Sequence, residues 1–206
     1  MARPERRPLG TRQVKLPVVR PVLPKDLRGK HNGQLPPGLL RNIEPSGQLH
    51  HAAADAWRCL RALAGAERIV LTQIGDYRTY DRQVALFLDR FRTFPDAKRE
   101  KQTTRKWDRK TWYLHNGAEV AVPGTSNHGW GLAIDVAIRN VGPKGSVSTI
   151  TSKPKGAKRT GLAFLLDVAP SVGWSWELQS EPWHIRYIAG DTPTPRLAAW
   201  LADHPR

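Results

Sequence analysis

The chain has 206 residues, enough for one domain with a proper core. Its 33 Lys and Arg against 18 Asp and Glu give a formal net charge of +15 and a pI near 10.6, which favours polyanionic partners such as nucleic acid or anionic wall polymers. A single cysteine, Cys59, excludes an internal disulfide and a thiolate zinc site, and no stretch is long and apolar enough to span a membrane.

Residues 1–45 are basic and broken repeatedly by Pro4, Pro8, Pro17, Pro21, Pro24, Pro36, Pro37 and Pro45. This composition predicts an extended arm, disordered alone and available to a neighbouring polypeptide, ahead of a domain over 46–206. The first residues lack the apolar stretch of a secretory signal, so none is expected. Residues 48–63 carry Leu49, Ala52, Ala53, Ala56, Leu60 and Leu63 at helical spacing, with Cys59 as a core residue. His50 and His51 stand side by side on that pattern. Adjacent helical positions diverge by about 100°, so they are read as surface or core-edge residues and not as ligands.

A strand is expected over 68–74, a loop over 75–79 and a helix over 80–91. Residues 93–110 read as an exposed charged loop, and 111–122 as a hairpin turning at Asn116-Gly117. Residues 132–138 read as a strand and 139–160 as a Gly, Ser, Lys and Pro linker. A helix follows over 161–169, ended by Pro170, then a strand over 183–188 and a closing helix over 193–201.

The chemistry concentrates in two stretches. The first runs from Thr125 to Asp135 and places His128 and Asp135 seven positions apart, a wider spacing than that of the histidine pair in a helical HExxH motif. Gly129 and Gly131 let the loop between them fold back. Asp135 interrupts an apolar run, and a buried carboxylate requires a cation or strong donors. The second stretch is Glu181-Pro182-Trp183-His184. Two imidazoles, one carboxylate and one spare carboxylate are the parts of a catalytic zinc site, with an open position for water and a general base.

Ser126, His128, Gly131, Ala133 and Asp135, followed by Glu181, Trp183 and His184, closely resemble the motifs of the zinc D-Ala-D-Ala carboxypeptidases, the VanY-like peptidases related to hedgehog-fold metallopeptidases. Tyr77-Arg78-Thr79-Tyr80 with Gln83 resembles the upstream arginine motif of that family, with one residue inserted after Gly75 and Thr in place of Ser. The resemblance covers residues 48–190. It implies an α+β fold, a small antiparallel sheet backed by helices. It also implies Zn2+ held by His128, Asp135 and His184, with Glu181 as the base. Arg78 would serve the oxyanion or the substrate carboxylate, and Gln83, Ser126 and Trp183 would line the substrate. Because Glu181 precedes His184 by three residues, Pro182 must bend the chain to bring both to one face.

The implied substrate is the peptidoglycan stem peptide, and nucleic acid is not the expected partner. D-Ala-D-Ala carboxypeptidase is the expected activity. An endopeptidase would use the same ligands, and a retired structural copy of the fold is the third reading. The missing export signal and the basic arm suggest a phage-borne protein. It would be a tail component of the virion acting on the cell wall, its arm binding tail neighbours.

Overall fold

The computed structural model describes residues 14–139, 147–149 and 157–205. In chain order its elements are β1 (Leu40–Asn42), β2 (Gln48–His50), α1 (His51–Ala66), β3 (Leu71–Gly75), α2 (Tyr80–Arg90), β4 (Phe91–Arg92) and β5 (Thr104–Trp107). Then come β6 (Lys110–Leu114), β7 (Ala133–Arg139), β8 (Val147–Thr149), α3 (Ala157–Val168), β9 (Trp174–Trp176), β10 (His184–Tyr187) and α4 (Pro195–Asp203). The main sheet runs β3-β7-β10-β9 with β8 also on β7, and all its pairings are antiparallel. This is the expected α+β arrangement.

Strand β7 organises the molecule because its side chains alternate. Ile134, Val136 and Ile138 enter the core, where α1 supplies Trp57 and Leu60 and α3 supplies Leu162 and Leu165. Asp135 falls between them and points to the other face. Trp57, Trp174 and Trp176 are fully buried, and burial of such a side chain stabilises by roughly 1.5–3 kcal/mol. A second sheet, β4-β6-β5, holds an aromatic cluster in which Phe87 stacks on Phe91 and meets Trp107 and Trp112 edge-on.

Three local readings are corrected. The helix expected from residue 48 begins at His51, because Gln48–His50 pairs with β1 as a strand. The hairpin lies earlier than Asn116-Gly117. Asp108 and Arg109 both take positive φ (51° and 59°), which turns β5 into β6, so part of the supposed charged loop is strand. Residues 120–122 form no strand. Most of the expected 139–160 linker lies outside the described residues.

The arm also differs from expectation. Its described part is extended, but it lies on the chain's own domain. Leu16, Leu27, Leu35 and Ile43 are buried in the core. Val18 bridges to Trp176 and Val22 to Ala189 in parallel. Proline prevented regular strands without preventing burial of the leucines between them. The buried side chains of residues 14–45 therefore pack on this chain, while Val18, Val19 and Val22 stay exposed.

Candidate active site

Strand pairing brings the two motif stretches together. His184 lies directly opposite Asp135 in the β10–β7 register, so the two side chains share a face despite their separation in sequence. His128 comes from a 3-10 turn, Asn127–Trp130, closed by Gly131 at φ 63°. That glycine is required, since a Cβ there would sit 2.6 Å from the His50 nitrogen, which donates to the Gly131 carbonyl. Ligand atoms of His128, Asp135 and His184 all lie within 4.8 Å of one another. Asp135 sits 3.4 Å from His128 Nε2 and 2.9 Å from His184 Nδ1.

Each imidazole is anchored through its other nitrogen. His128 Nδ1 is 2.8 Å from the Asp76 carbonyl, which can only accept, so the proton belongs on Nδ1 and Nε2 faces Asp135 bare. His184 Nε2 lies 3.3 Å from Glu177 Oε2, a carboxylate oxygen, which likewise turns Nδ1 toward Asp135. Two lone pairs and a carboxylate then converge, an arrangement that repels itself unless a cation or a proton sits among them. The donor set fits zinc: two imidazole nitrogens and one carboxylate oxygen.

Without a metal, a proton fills that place. Burial disfavours the His184 cation, but hydrogen bonds to Asp135 and Glu177 outweigh it and push the imidazole up to about 9. Burial raises the Asp135 carboxyl, yet the His128 and His184 imidazoles beside it prevail and hold it well below the usual carboxylate range. Glu177 is likewise raised by burial and brought down to about 2 by hydrogen bonds from His184 and Arg186.

Sequence reasoning missed Glu177, Asn127, Asp76 and Asn32. Glu177 accepts from Arg186 Nη1 at 2.7 Å and from Asn127 Nδ2 at 2.7 and 2.6 Å, so it links β10 to the turn carrying His128. Its signal was a lone carboxylate directly after the apolar Trp174-Ser175-Trp176 strand. Asn32 comes from the arm. Its Nδ2 donates to the Ser126 carbonyl at 2.7 Å, and Gly33 N donates to the Gly129 carbonyl at 2.7 Å.

Of the other expected residues, Arg78 donates its backbone N–H to the His128 carbonyl at 3.0 Å. Its guanidinium donates to Gln83 Oε1 at 2.9 Å. Burial pulls that guanidinium down and the Asp135 charge offsets part of the effect. Gln83 is almost fully buried and donates its own amide to the Ala121 carbonyl at 2.6 Å. Both ends of Gln83 are thus committed, and it orients Arg78. Ser126 is buried and makes no side-chain cap to the 3-10 turn it precedes. Trp183 and Trp130 pack, partly buried, against the core. At Pro182 the chain does bend, and His184 N closes a turn on the Glu181 carbonyl at 3.0 Å. Among the described residues the Glu181 side chain has no hydrogen-bond or ion-pair partner, in contrast to Glu177.

A family model for VanY, D-alanyl-D-alanine carboxypeptidase, matches residues 46–190. YodJ of Bacillus subtilis (strain 168), described as a carboxypeptidase, is 28% identical over 139 residues; these cover 66% of this chain and 45% of that protein. The chain therefore spans about half the length of that relative. Among solved structures, VanYB in complex with D-alanine-D-alanine aligns with a TM-score of 0.51 at 16% identity, covering 89% of this chain and 90% of that one. The LD-carboxypeptidase LdcB, described for its peptidoglycan recognition, aligns with a TM-score of 0.53 at 20% identity, covering 83% and 76%. At these identities the structural likeness concerns the fold.

Proposed function

The chain belongs to the VanY D-alanyl-D-alanine carboxypeptidase family, and from that premise we propose that it is a zinc-dependent hydrolase of peptidoglycan stem peptides, acting as a D-Ala-D-Ala carboxypeptidase. The observation that carries the zinc reading is the anchoring of both imidazoles. Asp76 and Glu177 turn a bare nitrogen of each toward Asp135, and the three groups would hold the ion. Zinc supplies Lewis acidity there and makes water nucleophilic near neutral pH.

The protein's own groups do the rest. Glu181, whose side chain has no partner among the described residues, takes a proton from the attacking water and returns it to the leaving amine. Arg78 is held by Gln83 and by its backbone bond to the His128 loop, and keeps further guanidinium donors for substrate. It pairs with the terminal carboxylate or with the charge developing on the scissile carbonyl. A carboxylate-binding arginine favours cleavage at a chain end over cleavage within the stem. The basic arm was one of two grounds for a virion setting, and its described part packs on this chain's own domain.

The test is metal content together with product analysis on purified muropeptides. One zinc bound by the cluster and release of free D-alanine are expected. Release of internal fragments without D-alanine would replace the carboxypeptidase reading with an endopeptidase. No hydrolysis by a zinc-loaded sample would leave a structural copy of the fold.

A further inference from the structure

Two imidazoles and one carboxylate converge a second time, away from the first cluster. Asp26, His50 and His51 present ligand atoms that all lie within 4.8 Å of one another. His50 Nε2 is 3.1 Å and 3.2 Å from the two Asp26 oxygens, and His51 Nε2 is 2.7 Å from Oδ2. The spacing matches that of His128, Asp135 and His184. We propose that Asp26, His50 and His51 form a second binding site for a divalent first-row transition metal such as zinc, clamping the N-terminal segment to helix α1.

The helical divergence of adjacent residues does not apply to this pair. His50 ends β2 and caps the helix with extended angles (φ −54°, ψ 140°), while His51 is the first helical residue. Their rings therefore lie nearly over one another, with centroids 4.1 Å apart. Asp26 arrives on a 3-10 turn, Lys25–Leu27, which is fixed on both sides. Leu27 is fully buried, and Lys25 N donates to Asp191 Oδ1 at 2.9 Å. Two nitrogens and an oxygen suit zinc, nickel or copper better than magnesium or calcium. One wall of the site, His50, is sealed. Asp26 and His51 are about a third exposed at 35% and 31%, which leaves room for water to complete the coordination.

Hydrogen bonds alone also fill the gap, with each Nε2–H donating to Asp26. His50 Nδ1 is buried without a partner in either case, as a bare acceptor when Nε2 carries the proton or as a donor when Nε2 binds metal. That orphan does not choose between the two states. The positive end of α1 weakens the site for a cation, so it should yield its metal to a chelator before the Asp135 cluster does. The clamp also bears on the first site, because the His50 backbone holds the Gly131 carbonyl at the end of the His128 turn.

The full chain is dialysed against zinc chloride and its metal content measured, alongside His51→Gln, Asp26→Asn and His128→Ala. The wild type should hold two equivalents. His51→Gln and Asp26→Asn should each hold one and keep hydrolysing stem peptide, and zinc should raise their Tm less than it raises that of the wild type. His128→Ala should hold one and lose hydrolysis. A wild type holding a single equivalent that His128→Ala removes overturns the proposal, as does a second equivalent that survives both His51→Gln and Asp26→Asn. A single equivalent that survives His128→Ala but not His51→Gln sustains the clamp and sinks the zinc peptidase reading instead.

Discussion

Gly75 and Asp135 face each other across β3 and β7 with no room for a methyl group between them. A Cβ on Gly75 would collide with Asp135 Oδ2 and come within 3.1 Å of its Cγ. The register shifts between Gln73 and Gly75, and this irregularity aims the glycine at the carboxylate. Gly75 has no positive φ, so the absent side chain is what matters there. Gly75→Ala should displace Asp135 from its two histidines and weaken zinc binding by about 10- to 100-fold, the range for disturbing a ligand's support. Zinc affinity from competition with a chromogenic chelator is the measurement. Unchanged affinity in a folded variant would mean that Asp135 is not a ligand.

In the proposed mechanism Glu177 and Glu181 divide two roles, and single substitutions separate them. Glu181→Gln should retain zinc and lose hydrolysis by about 10²- to 10⁴-fold, the contribution of a general base. Glu177→Gln should instead weaken zinc by about 10- to 100-fold, because His184 loses a charged anchor and Arg186 a counter-ion. Added zinc should restore much of its activity. If excess zinc leaves Glu177→Gln inactive while Glu181→Gln still turns over, the base is Glu177 and the assignment reverses.

Arg78 and Gln83 form a hierarchy. Arg78→Ala should lower turnover by about 10²- to 10³-fold with zinc unchanged. Gln83 acts through Arg78, so Gln83→Ala should cost less in turnover and also lower Tm, since it strips a partner from the Ala121 carbonyl. Comparison of kcat and KM on the same substrate decides the point. Equal turnover of Arg78→Ala and wild type would make Arg78 a supporting residue of the His128 loop.

The cluster of His128, Asp135 and His184 was legible because its elements announce themselves. Glycines mark the loop, a lone aspartate interrupts an apolar strand, and a proline turn precedes His184. The groups that orient those residues were not legible. Asp76 acts through its carbonyl, which any residue has, and Asn32 reaches the turn from a segment whose composition reads as disordered. The hairpin was misplaced for a similar reason. Asp108-Arg109 lacks the glycine that normally advertises such a turn, while Asn116-Gly117 has it and turns no strand pair. Long-range packing of Trp107 and Trp112 against Phe87 decides the matter there, and local sequence does not encode it.

The arm should behave as part of the domain from Val14 onward. Asn32→Ala would remove one of two donors to the buried Ser126 carbonyl, leaving it the Gly129 N–H, at a cost of about 0.5–1.5 kcal/mol, and should weaken zinc by loosening the His128 turn. Limited proteolysis of the isolated protein, read by mass spectrometry, should give a stable core that still includes residues 14–45. A stable, zinc-binding core starting near Gln48 would show that the segment is dispensable.

Stability should respond to pH in opposite ways with and without zinc. In the metal-free protein His184 stands at about 9, above its ordinary 6.5. A raised histidine contributes stability that is complete below 6.5 and is lost as pH climbs through 9. Glu177, at about 2 against an ordinary 4.5, contributes stability that is present above 4.5 and is lost as pH falls through 2. His50 is lowered, chiefly by burial, and subtracts stability below 6.5, so the informative window lies above that value. Between pH 6.5 and 9 the chelator-treated protein should lose up to roughly 3 kcal/mol, seen as a falling Tm. With saturating zinc the native state no longer carries the His184 proton. Metal and proton compete for that nitrogen, so the fall should vanish or become a rise over the same window. Parallel Tm curves with and without zinc would mean that His184 does not meet the ion, and the ligand set would have to be drawn again.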